Sequence, residues 1–304
     1  MGKAYDQAVQ GSVVIYDIDP ATMTPVDAFL VASGLLWPCS GGATPRKTWL
    51  TCEEGTHFTG AAALPKKHGY VFEIPSTAGG QIMPAPLKAM GRFVHEAAVT
   101  DPKTGIVYMT EDDTPAGFFR FVPNDRNNLA AGGTLQMLAV QGQPGYDTRK
   151  HQTVGRDLRT AWVMIPDADP DLEGGGPAAR VAKQGIALGG ATFDYLEGED
   201  FKNGAVTFAK PTAATRTTVR CGVTRRRREP FGCSTRRTTA TSWTHPTTSR
   251  SVLAAACSCA RTGTPGTSCA DSPPLARCST SPRTSWEAAI PSSRVRSTRP
   301  TAGG

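Results

Sequence analysis

Residues 91–113 read GRFVHEAAVTDPKTGIVYMTEDD. Within this stretch, GIVYMT (105–110) is rich in β-branched and aromatic residues, which favour a β-strand. The turn residues of DPKTG stand directly before it, and an apolar segment stands before them. This pattern predicts two strands of a hairpin, the second of which ends in three acidic residues.

Similar short runs recur throughout residues 1–213, and Gly, Pro and Asp separate them. They are SVVIYDI (12–18), DAFLVA (27–32), TWLTC (48–52), GYVFEI (69–74), GIVYMT (105–110), FFRFV (118–122), TLQMLAV (134–140), AWVMI (161–165) and GAVTFA (204–209). Only PAARVAKQGIAL (176–187) has helical character. We therefore predict an all-β fold, for which a sandwich, a barrel and a propeller remain open.

The composition divides the 304-residue chain into two parts. Residues 1–213 carry 18 Lys and Arg against 23 Asp and Glu, a net charge of −5. Residues 214–304 carry 15 Arg, no Lys and 3 acids, a net charge of +12, and hold six of the eight cysteines. Only the first part has the apolar content of a folding chain, so we place a domain boundary between residues 213 and 214.

The sequence contains no apolar run long enough to span a membrane. Its first residues, MGKAYDQAVQGSVVIYDIDP, lack the charged and then apolar pattern of a signal peptide. We therefore expect no membrane partner. For location, two interpretations stay open: the chain as written is cytoplasmic, or its true start lies upstream.

Four groups of thiol and acidic residues are candidates for a functional site. They lie in WPCSGGATPRKTWLTCEE (37–54), GRFVHEAAV (91–99), VYMTEDD (107–113) and FDYLEGED (193–200). Carboxylates at strand ends suit calcium, whereas a thiolate among them favours a transition metal. Structural interpretations stay open: Cys52 as a core residue, the acids after VYMT as a solvated turn, and His95 as a structural hydrogen bonder.

Five motifs in order resemble the PhoX-type alkaline phosphatases over roughly residues 11–212. They are GGATPRKTWLTCEE, KKHGYVFEI, GRFVHEAAVTDPKTGIVYMTEDD with GFFRFVP, WVMIPDADPD, and FDYLEG with NGAVTFA. The resemblance implies a β-propeller, an active site with calcium and iron, and phosphate ester substrates. It also implies export, because the family is periplasmic or extracellular.

The resemblance further implies which residues form the site. By their positions in the motifs, five residues are expected to bind metal: Cys39, Glu54, Glu96, Asp112 and Glu197. Glu96 and Glu197 are expected to take the catalytic roles.

Two positions depart from the family pattern. Arg46 and Lys47 precede TWLTCEE where the family has Trp-Gly, and Tyr195 stands where the family commonly has Arg. An arginine there would bind phosphate through two parallel hydrogen bonds, whereas tyrosine offers one neutral donor. We therefore expect phosphate binding to be impaired.

The Arg-rich part, residues 214–304, allows several interpretations. A nucleic-acid-binding arm would have this charge, but the segment has no Lys and no known module, so we expect no nucleic-acid partner. Its cysteines lack a paired C-x2-C spacing, which argues against zinc. A disordered, solvated tail fits the composition.

A change of reading frame also explains the composition of this part, because GC-rich codons read out of step yield Arg, Ala, Pro, Thr, Ser and Cys. Codons rebuilt one base out of step, with the usually free third base chosen to fit, can read five phrases that look like the family's later blades, in the family's order. They are PVWGY (219–224), ELDAPDNLTVG (241–252), LCEDG (258–263), FVRGLTP (267–274) and SEFAGA (290–296). We therefore hypothesise a one-base insertion or deletion near codons 210–215, followed by a disordered, non-native tail.

These observations lead to one main prediction and one alternative. The main prediction is an incomplete β-propeller, a metal-dependent phosphoester hydrolase by family that is inactive in this chain. The alternative is a non-catalytic β-propeller module that binds calcium only.

Overall fold

The computed structural model describes residues 3–57, 64–150, 152–153, 156–172 and 179–210, and the backbone alone of 215–220, 232–235 and 252–255. All of them fall in the first of the two units into which the chain divides, Met1–Ala260. The predicted tail, 214–304, lies outside the described residues except for those three backbone segments, so its disorder and its altered frame stay predictions.

Strands dominate the described chain, which confirms the all-β prediction. The strands are β1 (Gly11–Asp19), β2 (Thr24–Leu35), β3 (Pro38–Ala43), β4 (Thr48–Glu53), β5 (Val71–Pro75), β6 (His95–Thr100), β7 (Val107–Glu111), β8 (Phe118–Pro123), β9 (Gly133–Val140), β10 (Asp157–Met164), β11 (Glu199–Lys202), β12 (Ala205–Lys210), β13 (Thr215–Arg220), β14 (Gly232–Thr235) and β15 (Val252–Ala255). Besides two short 3-10 turns, one described α-helix, α1 (Val181–Ala187), falls inside the predicted helical segment. No helix in the described part of the chain is long and apolar enough to cross a bilayer.

The strands form three antiparallel sheets. The orders are β15-β1-β2, β3-β4-β5, and β11-β12-β13-β14-β10-β9-β8-β7-β6. Each predicted run corresponds to a strand, and β6 corresponds to the apolar segment before DPKTG, whereas β3, β11 and β13 to β15 were not predicted. Over the residues described, no closed ring of blades is present.

Apolar side chains cover both faces of the β6–β9 part of the large sheet, because successive residues of a strand point to opposite faces. Phe119 and Phe121 of β8 pack with Leu50 of β4 in one core cluster. Phe118, the residue before Phe119, belongs to a second cluster. Its ring stacks on that of Phe208 in β12, with 4.4 Å between the ring centroids. This part of the sheet therefore lies between the β3-β4-β5 sheet and β12. A third cluster joins β1 and β2 to Tyr70 and Phe72.

Strand β6, at the edge of the large sheet, contacts β3, β4 and β11 besides its partner β7. Gly42 of β3 makes the approach of β3 possible, since a Cβ at residue 42 would overlap the carbonyl oxygen of Ala98 in β6. Both edge strands of the large sheet therefore lie beside one another, and the residues at their ends come close to those of β3 and β4.

Candidate metal centre

One thiol and two carboxylates form a compact group where these strands meet. The ligand atoms of Cys39, Glu54 and Glu96 all lie within 4.8 Å of one another. Cys39 belongs to β3, Glu54 follows β4, and Glu96 belongs to β6. Residues distant in sequence thus supply three groups of the kind that binds metals.

Irregular pairing turns two of these side chains toward the group. Between β3 and β4 the register shifts between Pro38 and Gly41, and Cys39 lies in this interval. Between β6 and β7 it shifts between His95 and Ala98, and Glu96 lies there. Such irregularities re-aim a side chain relative to a regular strand, so each sheet can present a ligand at the junction.

Backbone hydrogen bonds fix the strand ends that carry the acids. The N–H of Glu54 donates to the carbonyl oxygen of Trp37 at 3.0 Å, and that of Asp112 donates to Val94 at 3.1 Å. The N–H of Glu197 donates to Ala209 at 3.0 Å. Backbone carbonyl groups of neighbouring segments therefore hold all three acids in place.

The two remaining predicted ligands lie around the group. The side chain of Asp112 shares a hydrogen bond with Glu54, and the charge of Glu197 acts on Glu96. The segment before Glu197 is anchored beside Asp112, since the N–H of Leu196 donates to Glu111 at 3.0 Å. The structure thus brings all five sequence-predicted residues into one neighbourhood.

Burial and crowding raise the pKa values of the carboxyls in this group. Burial, the hydrogen bond shared with Asp112 and the charge of Glu96 raise the pKa of Glu54 to about 8. Burial and the charges of Glu197 and Asp112 raise the pKa of Glu96 to about 7. A hydrogen bond from Cys39 opposes both shifts. The group therefore favours bound protons or cations over bare carboxylates.

The adjacent residues Glu53 and Glu54, which the sequence presents as a pair, have different surroundings. Glu53 is buried and accepts hydrogen bonds from the N–H groups of Leu36, Gly69 and Tyr70 and from His68 Nδ1, at 2.7 to 3.1 Å. Because its oxygens are satisfied by the protein itself, Glu53 is a structural carboxylate.

Two other candidates prove structural, as the open interpretations allowed. Cys52 is fully buried in the first core cluster. His95 stacks on Phe93 and its Nε2–H donates to the carbonyl oxygen of Gly91 at 3.0 Å. Burial lowers the pKa of His95 to about 3, so the ring is neutral.

Comparison with known protein families gives a match that includes all five predicted site residues. The model of the family described as alkaline phosphatase PhoX matches residues 22–260, more than three quarters of the chain. The chain belongs to the PhoX alkaline phosphatase family. No curated protein matches it. The PhoX match extends past residue 213 and includes the first part of the segment for which a change of reading frame is hypothesised.

Two residues that depart from the PhoX pattern, Arg46 and Tyr195, each contact other parts of the chain. Arg46 pairs with Glu73 at 2.9 Å. Tyr195 is 42% exposed and has a positive φ of 46°. Its N–H donates to the carbonyl oxygen of Asp113 at 2.9 Å, and the Asp113 carboxylate pairs with Arg180. The guanidinium of Arg180 is therefore linked through Asp113 to Tyr195, the position at which the family commonly has an arginine.

Glu199 lies within FDYLEGED, one of the four candidate groups, but neither the spacing nor the motifs give it a role. The structure encloses both of its carboxylate oxygens, and neither makes a hydrogen bond within the described part of the molecule. Its charge acts on Cys52, as does that of Glu96. Spacing alone offers no sign of this, because Glu199 begins a four-residue strand in a run of acids.

Proposed function

We propose that residues 1–213 carry the iron and calcium centre of a metal-dependent phosphoester hydrolase. The observation that supports this most strongly is the group of Cys39, Glu54 and Glu96, with ligand atoms within 4.8 Å of one another, in a chain of the PhoX family. The substrate class is the phosphate esters on which the family acts.

The donor set suits these cations. A thiolate favours a transition metal such as iron, whereas carboxylate oxygens favour calcium. Cys39, Glu54 and Glu96 would hold the metals together with Asp112 and Glu197. The raised pKa values of Glu54 and Glu96 agree with this assignment, since positive charge would offset the crowding that raises them.

The metals and the protein residues contribute different parts of the proposed catalysis. When bound, the metals supply Lewis acidity toward phosphoryl oxygens and toward a bound nucleophile. The chain contributes the placement of the ligands, through the irregular pairing of β3 and β6, and a mostly buried site that limits competing water. Glu96 and Glu197 take the catalytic roles, as the carboxylates whose charges act on each other at the centre.

Phosphate binding is the weak step in this chain. Tyr195 offers one neutral donor, and the nearby Arg180 is paired with Asp113. Charged, two-pronged donors bind phosphate more strongly than a phenol does. We therefore expect a weak affinity for phosphate compared with a relative that carries arginine at this position.

An incomplete β-propeller best accounts for the sheets. Strands β6 to β9 form a four-stranded antiparallel run, the number of strands in a propeller blade. The β3-β4-β5 sheet and β12 cover its two faces, as neighbouring blades would. A frame change near codons 210–215 removes the later blades, and we propose that the chain as written is inactive for this reason.

Hydrolysis of a chromogenic phosphate ester, with iron and calcium supplied, tests this proposal. We expect no turnover by the present chain, and turnover by the product of a gene with its frame restored. Cys39→Ala in the restored protein should abolish activity, whereas Arg46→Gln should retain it. Activity in the present chain that Cys39→Ala abolishes would contradict the proposed loss of function. A restored protein that is folded and inactive would contradict the hydrolase.

The alternative is a non-catalytic propeller module that binds calcium, and Tyr195 is the observation in its favour. A module of this kind needs carboxylates for calcium but no thiolate. It therefore predicts calcium without iron in the purified protein, and an unchanged metal content in Cys39→Ala.

A further inference from the structure

Glu199 is a buried carboxylate that lacks the usual reason for burial. It begins β11, and both of its oxygens are enclosed without a hydrogen bond among the described residues. Burial of a carboxyl group without compensation is costly, so buried polar atoms in proteins are nearly always paired. An unsatisfied carboxylate therefore calls for an explanation, of which an absent ion is one.

The other buried acids provide a comparison. Glu53 accepts three backbone N–H donors in addition to His68. Glu111 accepts the N–H of Gly117 at 2.7 Å. Glu199 has neither arrangement: the N–H of Val99 favours its charged form but does not reach hydrogen-bonding geometry. A structural role of the kind that Glu53 fills therefore does not account for Glu199.

Glu199 lies on a strand that runs next to one strand of the metal centre. Its strand contacts β6, which carries Glu96, and it makes no regular pairing with that strand. Burial first, and then the charge of Glu96, raises the pKa of Glu199 well above its usual range. Glu96, which belongs to the group with Cys39 and Glu54, is thus close enough for its charge to act on a further carboxylate that has no hydrogen bond among the described residues.

We propose that Glu199 is a further ligand of the centre and that it shares with Glu96 a hard divalent cation of the calcium type. Carboxylate oxygens are the ligands that calcium prefers, and two acids from facing strands can supply them. Cys39 lies in the group with Glu54, so the softer metal belongs there. The inference rests on the proposed function, because it requires a metal centre at Glu96.

Calcium titration of the full chain by calorimetry tests the inference without any measurement of activity. Glu199→Gln keeps the shape of the side chain and removes its charge, and Asp200→Asn, one residue further along β11, is the matched control. We expect Glu199→Gln to weaken calcium binding by at least about tenfold, in line with the effect of lost metal-site residues. Asp200→Asn should bind within about twofold of the unchanged chain, because a partly exposed charge next to the site contributes little.

Thermal unfolding supplies a second readout. In the presence of a chelator, Glu199→Gln should unfold at the same temperature as the unchanged chain or higher, because it no longer buries an unpaired carboxyl. Added calcium should raise the unfolding temperature of the unchanged chain and of Asp200→Asn, but hardly that of Glu199→Gln. Glu199→Asp, which keeps a carboxylate, should retain part of this increase and covers the case in which Glu199→Gln does not fold.

The outcomes separate this inference from the proposed function. Equal calcium binding by Glu199→Gln and the unchanged chain would overturn the inference alone, provided that Glu96→Gln weakens binding. An unchanged chain that binds neither calcium nor iron would overturn both.

Discussion

At the scale of single residues, the two adjacent glutamates at the end of β4 have different roles. Glu53 satisfies buried backbone donors, whereas Glu54 lies among other acids and a thiol. A sequence shows two adjacent glutamates, and the direction of each follows only from the pairing of β4 with its neighbours. Matched substitutions can therefore separate a structural from a functional carboxylate.

We predict that Glu53→Gln destabilises the protein and Glu54→Gln does not. The first leaves buried donors with fewer acceptors and a weaker partner for His68, at a cost of about 3 kcal/mol. The second removes one charge from a crowded group, so the free energy of unfolding should change by less than about 1 kcal/mol. Urea unfolding in a chelator measures both. Equal effects would contradict the distinction.

A second prediction concerns the buried imidazole of His68, which lies between Glu53 at 2.7 Å and Asp6 at 3.2 Å. Burial opposes its charge, but the two carboxylates outweigh burial and raise the pKa of His68. Because the folded pKa is raised, its stabilisation is complete below about pH 6.5, the pKa of an unfolded histidine, and is lost as pH rises through the folded value.

His68→Gln should therefore lose part of the decrease in unfolding free energy that the unchanged chain shows above about pH 6.5. Urea unfolding at a series of pH values in a chelator measures the difference between the two proteins, which removes the contribution of other titrating groups. Parallel profiles for both proteins would show that His68 is neutral in the folded state.

At the scale of secondary-structure elements, the sequence predicts the regular strands well but misses two strands of the site, β3 and β11. Runs rich in Val, Phe and Tyr, such as FFRFV, correspond to strands with both faces buried. PCSGGA (β3) and EDFK (β11) have low β-propensity, and tertiary contacts with β6 determine their conformation instead. Cys39 lies on β3 and Glu199 on β11, so two of the site residues belong to strands that the local sequence does not favour.

The register irregularities in β3 and β6 were likewise not predictable. They depend on pairing with β4 and β7, and the local sequence carries no sign of them. The five site residues came from motif resemblance. The structure brings them together, but Glu199, which the motifs did not single out, required the three-dimensional contacts.

The close approach of β3 to β6 leads to a third prediction. Gly42→Ala places a methyl group against the carbonyl oxygen of Ala98, so the strands must separate at a cost of about 2 kcal/mol or more. Gly80→Ala is the matched control, because no atom lies within 4 Å of its added Cβ.

Urea unfolding and metal content measure this effect together. We expect Gly42→Ala to lose stability and iron, since Cys39 moves with β3, and Gly80→Ala to retain both. Normal iron content in a destabilised Gly42→Ala would show that β3 does not need this approach in order to present Cys39.

At the scale of the whole molecule, the two edge strands of the large sheet lie beside each other, and β3 and β4 pack against one of them. Contacts of this kind protect strand edges from association with other chains. The composition of residues 214–304 suggests that the later part of this arrangement was lost through a frame change. The extent of the PhoX match, to residue 260, makes the position of that change a question for the gene itself.

We predict that the product of a frame-restored gene is more stable than the present chain, because further blades would cover exposed edges and apolar faces. Sequencing across codons 210–215 identifies the insertion or deletion, and thermal unfolding compares the two proteins. An intact frame without coding bias in the alternative frame would contradict the hypothesis, as would a restored product that is no more stable.

The most direct test of the metal centre is elemental analysis of the purified full chain beside two cysteine variants. We expect iron and calcium in the unchanged chain, loss of iron in Cys39→Ala, and retention of iron in Cys52→Ala, whose thiol lies in the core. Calcium alone, with no effect of Cys39→Ala, would support the non-catalytic module. The absence of both metals from a folded chain would contradict the metal centre itself.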